Sequence, residues 1–286
     1  MDRDIRVIRD HPRNPRFEEK VKNKLTYILI LTVLAIPALA APEMIPLAAG
    51  NKWEFGSVKL LRATIRLEDR ALVNMRNPSS GKSTYEVVSV EDSGGKPVWK
   101  YTESTEMASN SSSAEDTDNT ELKLSSDGGW LKILSSVSEQ SGSKGPDTQT
   151  YEPPLTYYPT DAAVGKAWEV GTMRDETTST LVSAKIVGKE TVTVPAGTFK
   201  DCLKVVYSSD EITGTIDLWE KSFTLTSGKT RGIYWVADGV GVVKELEVST
   251  STAEGDGPAG KKVILEAATC VVSELRPGYV VKRGSP

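Results

Sequence analysis

TYEVVSVEDSGGKPVWKYTESTEM, residues 84–107, reads as two strands folded about Ser93-Gly94-Gly95. Apolar and polar residues alternate on both sides of the glycines, as a half-buried strand requires. Glycine supplies the positive φ of a tight hairpin turn. ELKLSSDGGWLKILSSV, residues 121–137, repeats the design about Asp127-Gly128-Gly129. Outward from these two hairpins, further strands are expected at 52–66, 166–173, 178–194, 200–209, 211–226, 230–237, 240–250 and 261–274. Thr, Val, Ile, Tyr and Trp fill them, the residues that suit a pleated, half-buried surface. No run of helical periodicity follows residue 41. The expected fold is all-β: a large curled antiparallel sheet, a half-barrel or open barrel, after an N-terminal signal helix.

Two polar tracts interrupt the alternation. Residues 102–121 hold nine Ser or Thr, six acidic residues and no basic one, and residues 249–260 read STSTAEGDGPAG. Both are expected to be long solvated hairpin loops or poorly ordered inserts, too poor in apolar side chains to offset the entropy of ordering. Gly81-Lys82-Ser83 lacks the upstream glycine of a phosphate loop and is expected to be a turn.

The amino end carries the basic run Lys20, Lys22, Lys24, then the uncharged LTYILILTVLAIPALA from Leu25 to Ala40. A basic lead, an apolar run broken by Pro37 and the small residues Ala38-Leu39-Ala40 form a secretory signal peptide over 1–40, cut before Ala41. The expected location is exported: periplasmic, cell-surface or secreted. The alternative is an anchor formed by an uncleaved N-terminal segment. Of 35 basic and 39 acidic residues, 8 and 5 lie in residues 1–40, which leaves 41–286 at net -7. That sign opposes nucleic-acid binding and adhesion to anionic head groups by net charge.

An echo at an offset of 115 residues divides the mature chain into two related halves, about 41–154 and 155–286, of a single β domain. AAGNKWEFGSV from Ala48 and AVGKAWEVGTM from Ala163 share Gly50/Gly165 and Trp53/Trp168. Each Gly-x-x-Trp is expected to start a strand with a turn and anchor it with a buried indole. Glu54 and Glu169 follow the tryptophans. They are either exposed strand residues or a carboxylate pair of the glycosidase kind.

The single histidine, His11, leaves with the signal. Residues 41–286 therefore lack the usual base of a Ser-His-Asp or Cys-His nucleophile and the commonest metal ligand. No catalytic residue, metal or cofactor is assigned. The acidic run from Glu115 to Glu121 lacks the spacing of a calcium loop. Cys202 and Cys270 meet an oxidising compartment and are candidates for a disulfide.

TVTVPAGTFKDCLKVVY, residues 191–207, resembles a segment of uncharacterised secreted bacterial β proteins, as do GIYWVADGVGVVKEL, residues 232–246, and the Pro46–Trp53 opening. The resemblance implies export and a β fold, and it carries no catalytic residue. Pro195, Gly197 and Phe199 form one strand-turn-strand device, and Gly239 and Gly241 another. Such proteins are also similar in architecture to the curled half-barrel of periplasmic lipoprotein carriers, which implies an apolar concave face. On such a face Leu203, Val205, Tyr207, Ile212, Ile216 and Leu218 would bind an apolar small molecule or lipid. Three functions are compatible with the sequence: an exported non-catalytic protein binding an apolar ligand or an envelope protein, a structural or interaction module with a filled core, and a carboxylate-based glycan hydrolase.

Overall fold

The computed structural model describes residues 46–282 apart from 69, 110–114, 141–144, 175–176, 219–220 and 258–259. The signal peptide expected over 1–40 lies outside the described residues. The strands are β1 (Lys52–Leu67), β2 (Arg70–Ser93), β3 (Lys96–Ser109), β4 (Glu115–Asp127), β5 (Trp130–Gln140), β6 (Asp147–Pro159), β7 (Ala167–Arg174), β8 (Thr178–Val194), β9 (Gly197–Ser209), β10 (Ile212–Leu218), β11 (Lys221–Ala237), β12 (Gly241–Asp256) and β13 (Lys262–Leu275). All belong to one 13-stranded antiparallel sheet.

β9 and β10 share one place in that sheet, between β8 and β11, because the ladder resumes at Ile212↔Thr180 after a short break. The chain therefore forms two six-position meanders, β1–β6 and β7–β13, joined where β13 pairs with β1. The sheet curls until its two edges, β6 and β7, meet through side chains. Trp168 of β7 lies edge-on to Tyr158 of β6 at 5.9 Å and tilts against Trp130 of β5 at 6.0 Å.

The two Gly-x-x-Trp openings make the same local turn. Gly50 and Gly165 take φ of 84° and 95°, conformations that favour glycine. Gly50 N–H donates to Val87 O and Val87 N–H to Asn51 O, while Gly165 N–H donates to Ile186 O and Ile186 N–H to Lys166 O. Each turn thus docks its meander's first strand onto the next. Trp53 and Trp168 then enter the core, at 1% and 8% exposure.

Both polar tracts depart from expectation. Residues 102–109 belong to β3 and 115–127 to β4, and β12 runs through Ser249 to Asp256. The reason is the barrel's interior, which is polar midway along the strands. Hydroxyls pair across neighbouring strands there: Thr105 with Ser83 at 2.9 Å, Ser57 with Ser273 at 2.9 Å, Thr230 with Ser249 at 3.0 Å. Such pairs stabilise a sheet without apolar side chains. Gly81-Lys82-Ser83, expected to be a turn, lies within β2, and the boundary expected at about residue 154 lies within β6. The meanders divide instead at the connection between β6 and β7.

The disulfide does not form. Cys202 and Cys270 are both free. Between β9 and β13 lie β11 and β12. Three ladder steps of about 4.8 Å exceed the roughly 7 Å that a disulfide can span between Cα atoms.

Candidate functional site

Period-two alternation sends Glu245, Glu247 and Ser249 of β12 into the barrel together. Their row neighbours explain how they are held. Glu247 is opposite Gly232 of β11, and Gly232 is opposite Tyr207 of β9. A Cβ on Gly232 would lie 1.9 Å from Tyr207 Cζ. The missing side chain lets the Tyr207 ring cross β11 and reach β12. Its Oη lies 2.9 Å from Glu245 Oε1 and 2.8 Å from Glu247 Oε2.

A phenol has one proton and donates to one carboxylate only. The second contact is a hydrogen bond when the other carboxyl is protonated and donates to Tyr207. Burial favours that state. It pushes Glu247 up to about 7, against hydrogen bonds from Tyr207 and Ser249 and the charge of Lys59. Burial, then the charge of Glu247, raise Glu245 well above the usual carboxylate range.

A second group faces this one from β2 and β3. Tyr85 Oη donates to Glu103 Oε1 at 3.0 Å, and Tyr85 stacks on Tyr101 at 6.1 Å. Burial raises Glu103 to about 7. The charge of Glu103 is felt at Glu245, so the two groups act as one cluster inside the barrel. Tyr101 Oη and Glu103 Oε2 are enclosed without a hydrogen-bond partner. Glu245 and Glu247 are buried, at 7% and 3% exposure. Protonation of the cluster is thereby coupled to the stability of the fold.

Leu203, Val205, Tyr207, Ile212 and Ile216 are all buried in the core. Val205 and Tyr207 lie in rows with Ile186 and Ala184 of β8. Ile212 and Ile216 belong to β10, where Ile212 covers Gly228. Leu218 ends β10, opposite Lys221. Pro195 and Gly197 form the turn between β8 and β9, whose Ala196 N–H donates to Leu275 O, and Phe199 is partly buried against the core. Gly239 and Gly241 take φ of 68° and 99° between β11 and β12. Glu54 and Glu169 point away from their tryptophans. Glu54 lies 3.5 Å from Lys82 and 3.7 Å from Arg276, and Glu169 is exposed.

Glu103, Glu245 and Glu247 were not singled out from the sequence. Their signal was parity: Glu103 alternates with the aromatic Tyr101, and Glu245 and Glu247 alternate with Val243.

The outer face carries a different pattern. Val206, Ile233, Leu246, Val272 and Val58 are successive cross-strand partners over β9, β11, β12, β13 and β1. The next row continues Val248, Cys270, Leu60, Pro78. Val58 is 59% exposed and Val248 42%. Beside Val58 an open groove of about 500 Å³ runs past Gly56, Ser80, Lys82, Glu106 and Arg276. Contiguous apolar surface rimmed by polar residues marks interaction sites. Cys270 lies in this face, partly exposed, whereas Cys202 is fully buried. A thiol reagent should therefore modify one cysteine of the native protein, Cys270. Peptide mass mapping checks this, and equal labelling of Cys202 would contradict the packing.

Residues 149–249 match the DUF3108-like family, a span from β6 into β12. No curated protein matches the chain. Solved structures are also similar to this chain, among them two bacterial proteins. One, from Parabacteroides distasonis and named as a lipoprotein, is 15% identical, with 82% of this chain and 99% of that chain covered and a TM-score of 0.34. The other, from Bacteroides fragilis NCTC 9343 and named as an exported protein with a YmcC-like fold, is 12% identical, with 84% and 98% covered and a TM-score of 0.33.

Proposed function

We propose that this is an exported, non-catalytic β-barrel that works as an interaction module through its outer face. The observation that carries the reading is the in-register apolar row from Val206 to Val58, placed on the outside of a sheet whose inside is filled. The basic lead, apolar run and small residues up to Ala40 support export. The carboxyls that share a site are buried, and residues 41–286 contain no histidine. Both facts favour a binding role over a hydrolase. The residues of the expected ligand-binding face, Leu203, Val205, Tyr207, Ile212 and Ile216, are packed together, which favours a filled core over an open apolar cavity.

Cys270 reports on the outer face without mutation. Its alkylation should be slower in intact envelopes than in purified protein, because a bound partner covers the row. Quantitative mass spectrometry of the modified peptide measures the ratio. Equal rates in both preparations would remove the outer face as an interface.

A further inference from the structure

Below the apolar rows the outer face changes character. Arg62 of β1 and Arg76 of β2 are direct cross-strand partners, and both are exposed. Like charges placed opposite each other destabilise a sheet. Other cations on the outside are neutralised locally, among them Arg66 by Glu266, Lys82 by Glu54 and Lys244 by Glu274. Neither Arg62 nor Arg76 forms an ion pair with a described residue. Lys229 lies in the same outer row, reached through Thr250 and Ala268. The row above the arginines holds Leu60 and Pro78, and the next holds Val58 and Val272. Along the spine of β1 the order is thus valine, leucine, arginine, at alternate positions of one face.

Two guanidiniums side by side fit a phosphate, which each can engage with paired N–H donors. Short apolar side chains one step away fit the boundary between head groups and acyl chains. We propose that the outer face centred on β1 docks on an anionic phospholipid surface, with lipid phosphate held by Arg62 and Arg76 and with Val58, Leu60 and Pro78 at the interface. This rests on the reading of the outer face as the working surface and names what it touches. The net charge of -7 expected for residues 41–286 opposes such contact. The attraction is therefore local and salt-sensitive, because head-group potentials fade within a Debye length.

The test uses the full chain with an environment-sensitive dye on Cys270. It is titrated with vesicles of phosphatidylcholine, and of phosphatidylcholine containing phosphatidylglycerol. Wild type and variants carry the same amino-terminal segment, so any membrane affinity of that segment cancels in the comparison. The dye should shift to the blue with phosphatidylglycerol vesicles. The Arg62→Gln/Arg76→Gln double variant should need about thirtyfold more lipid, as expected for the loss of two basic residues at a membrane surface. Val58→Asp should weaken the response while leaving the arginines in place, and circular dichroism should show both variants folded. Equal titration of wild type and double variant, or an equal response to phosphatidylcholine alone, would overturn the proposal. Competition by inorganic phosphate at matched phosphate concentration and ionic strength would also overturn it, by reducing the site to a free-anion site. Protection of Cys270 in envelopes without any vesicle response would sink the lipid and leave a protein partner on the same face. Absence of both would remove the outer-face reading itself.

Discussion

Unfolding midpoints in urea are expected to fall as the pH rises from about 5 to about 9, with the steepest loss between the free and folded values of the buried carboxyls, below neutrality. Glu103 and Glu247 have their free value at 4.5 and titrate near 7 in the barrel, where burial disfavours the charged form. Between those two values the folded chain keeps protons that the unfolded chain has released. Stability from these groups is therefore fully present below the unfolded value and is lost as the pH climbs through the folded one. At about 1.4 kcal/mol per pH unit of displacement, each ionised carboxyl costs roughly 3 kcal/mol. Glu245 acts in the same direction, raised by burial and by Glu247.

The surface opposes this trend only at lower pH. Asp127, Asp161 and Asp210 are held below their ordinary range by hydrogen bonds from Lys96, Lys166 and Arg231. Their contribution is lost as the pH falls through their folded values, and solvent screens it. The stability maximum should lie on the mildly acidic side. Glu245→Gln/Glu247→Gln keeps hydrogen-bonding groups beside Tyr207 and cannot ionise. Its midpoint should vary less with pH and exceed the wild-type midpoint at about pH 9. A wild-type midpoint that stays level over this range would show that the carboxyls are not held neutral by the fold.

The hairpins about Gly94-Gly95 and Gly128-Gly129 were legible because turn chemistry and alternation agree there. Alternation also sent Val205 and Tyr207 to one side of β9. It could not say that this side is filled, because filling depends on what the curl brings opposite. The tract from Thr102 to Glu121 misled for a related reason. Its Ser, Thr and Glu side chains look solvated in one dimension, yet Thr105 meets Ser83 and Glu103 meets Tyr85. A polar residue satisfied by a neighbouring strand is compatible with a ladder, and sequence alone does not show the neighbour. The outer rows were illegible for a stronger reason. Val58 and Val272 become partners through the β1–β13 ladder, which joins segments about two hundred residues apart. The same register places Lys229 in line with the Arg62–Arg76 pair. The expectation of export, in contrast, rests on composition alone, since its signal is a hydropathy profile and needs no tertiary structure.

Replacing Trp53 or Trp168 by Ala is expected to cost about 3–5 kcal/mol each, the range for truncating a buried indole. Their phenylalanine variants should separate the two sites. Trp53 is 1% exposed, and its Nε1–H donates to Val240 O at 2.6 Å. That bond ties the first strand to the turn between β11 and β12. Trp53→Phe therefore leaves a small void and strands a carbonyl, and should itself cost more than about 1.5 kcal/mol. Trp168 has the same place in the second meander but a different environment. Its Nε1 is enclosed without an acceptor, and its ring closes the seam against Trp130 and Tyr158. Phenylalanine there preserves an aromatic ring and removes a donor whose burial was uncompensated. Trp168→Phe should cost less than about 1 kcal/mol, because leaving a buried donor unsatisfied is itself unfavourable. Urea melts of the four variants measure the differences. Equal costs for the two phenylalanine variants would mean that the Val240 bond contributes nothing, and that the repeated tryptophans are equivalent in energy as well as in position.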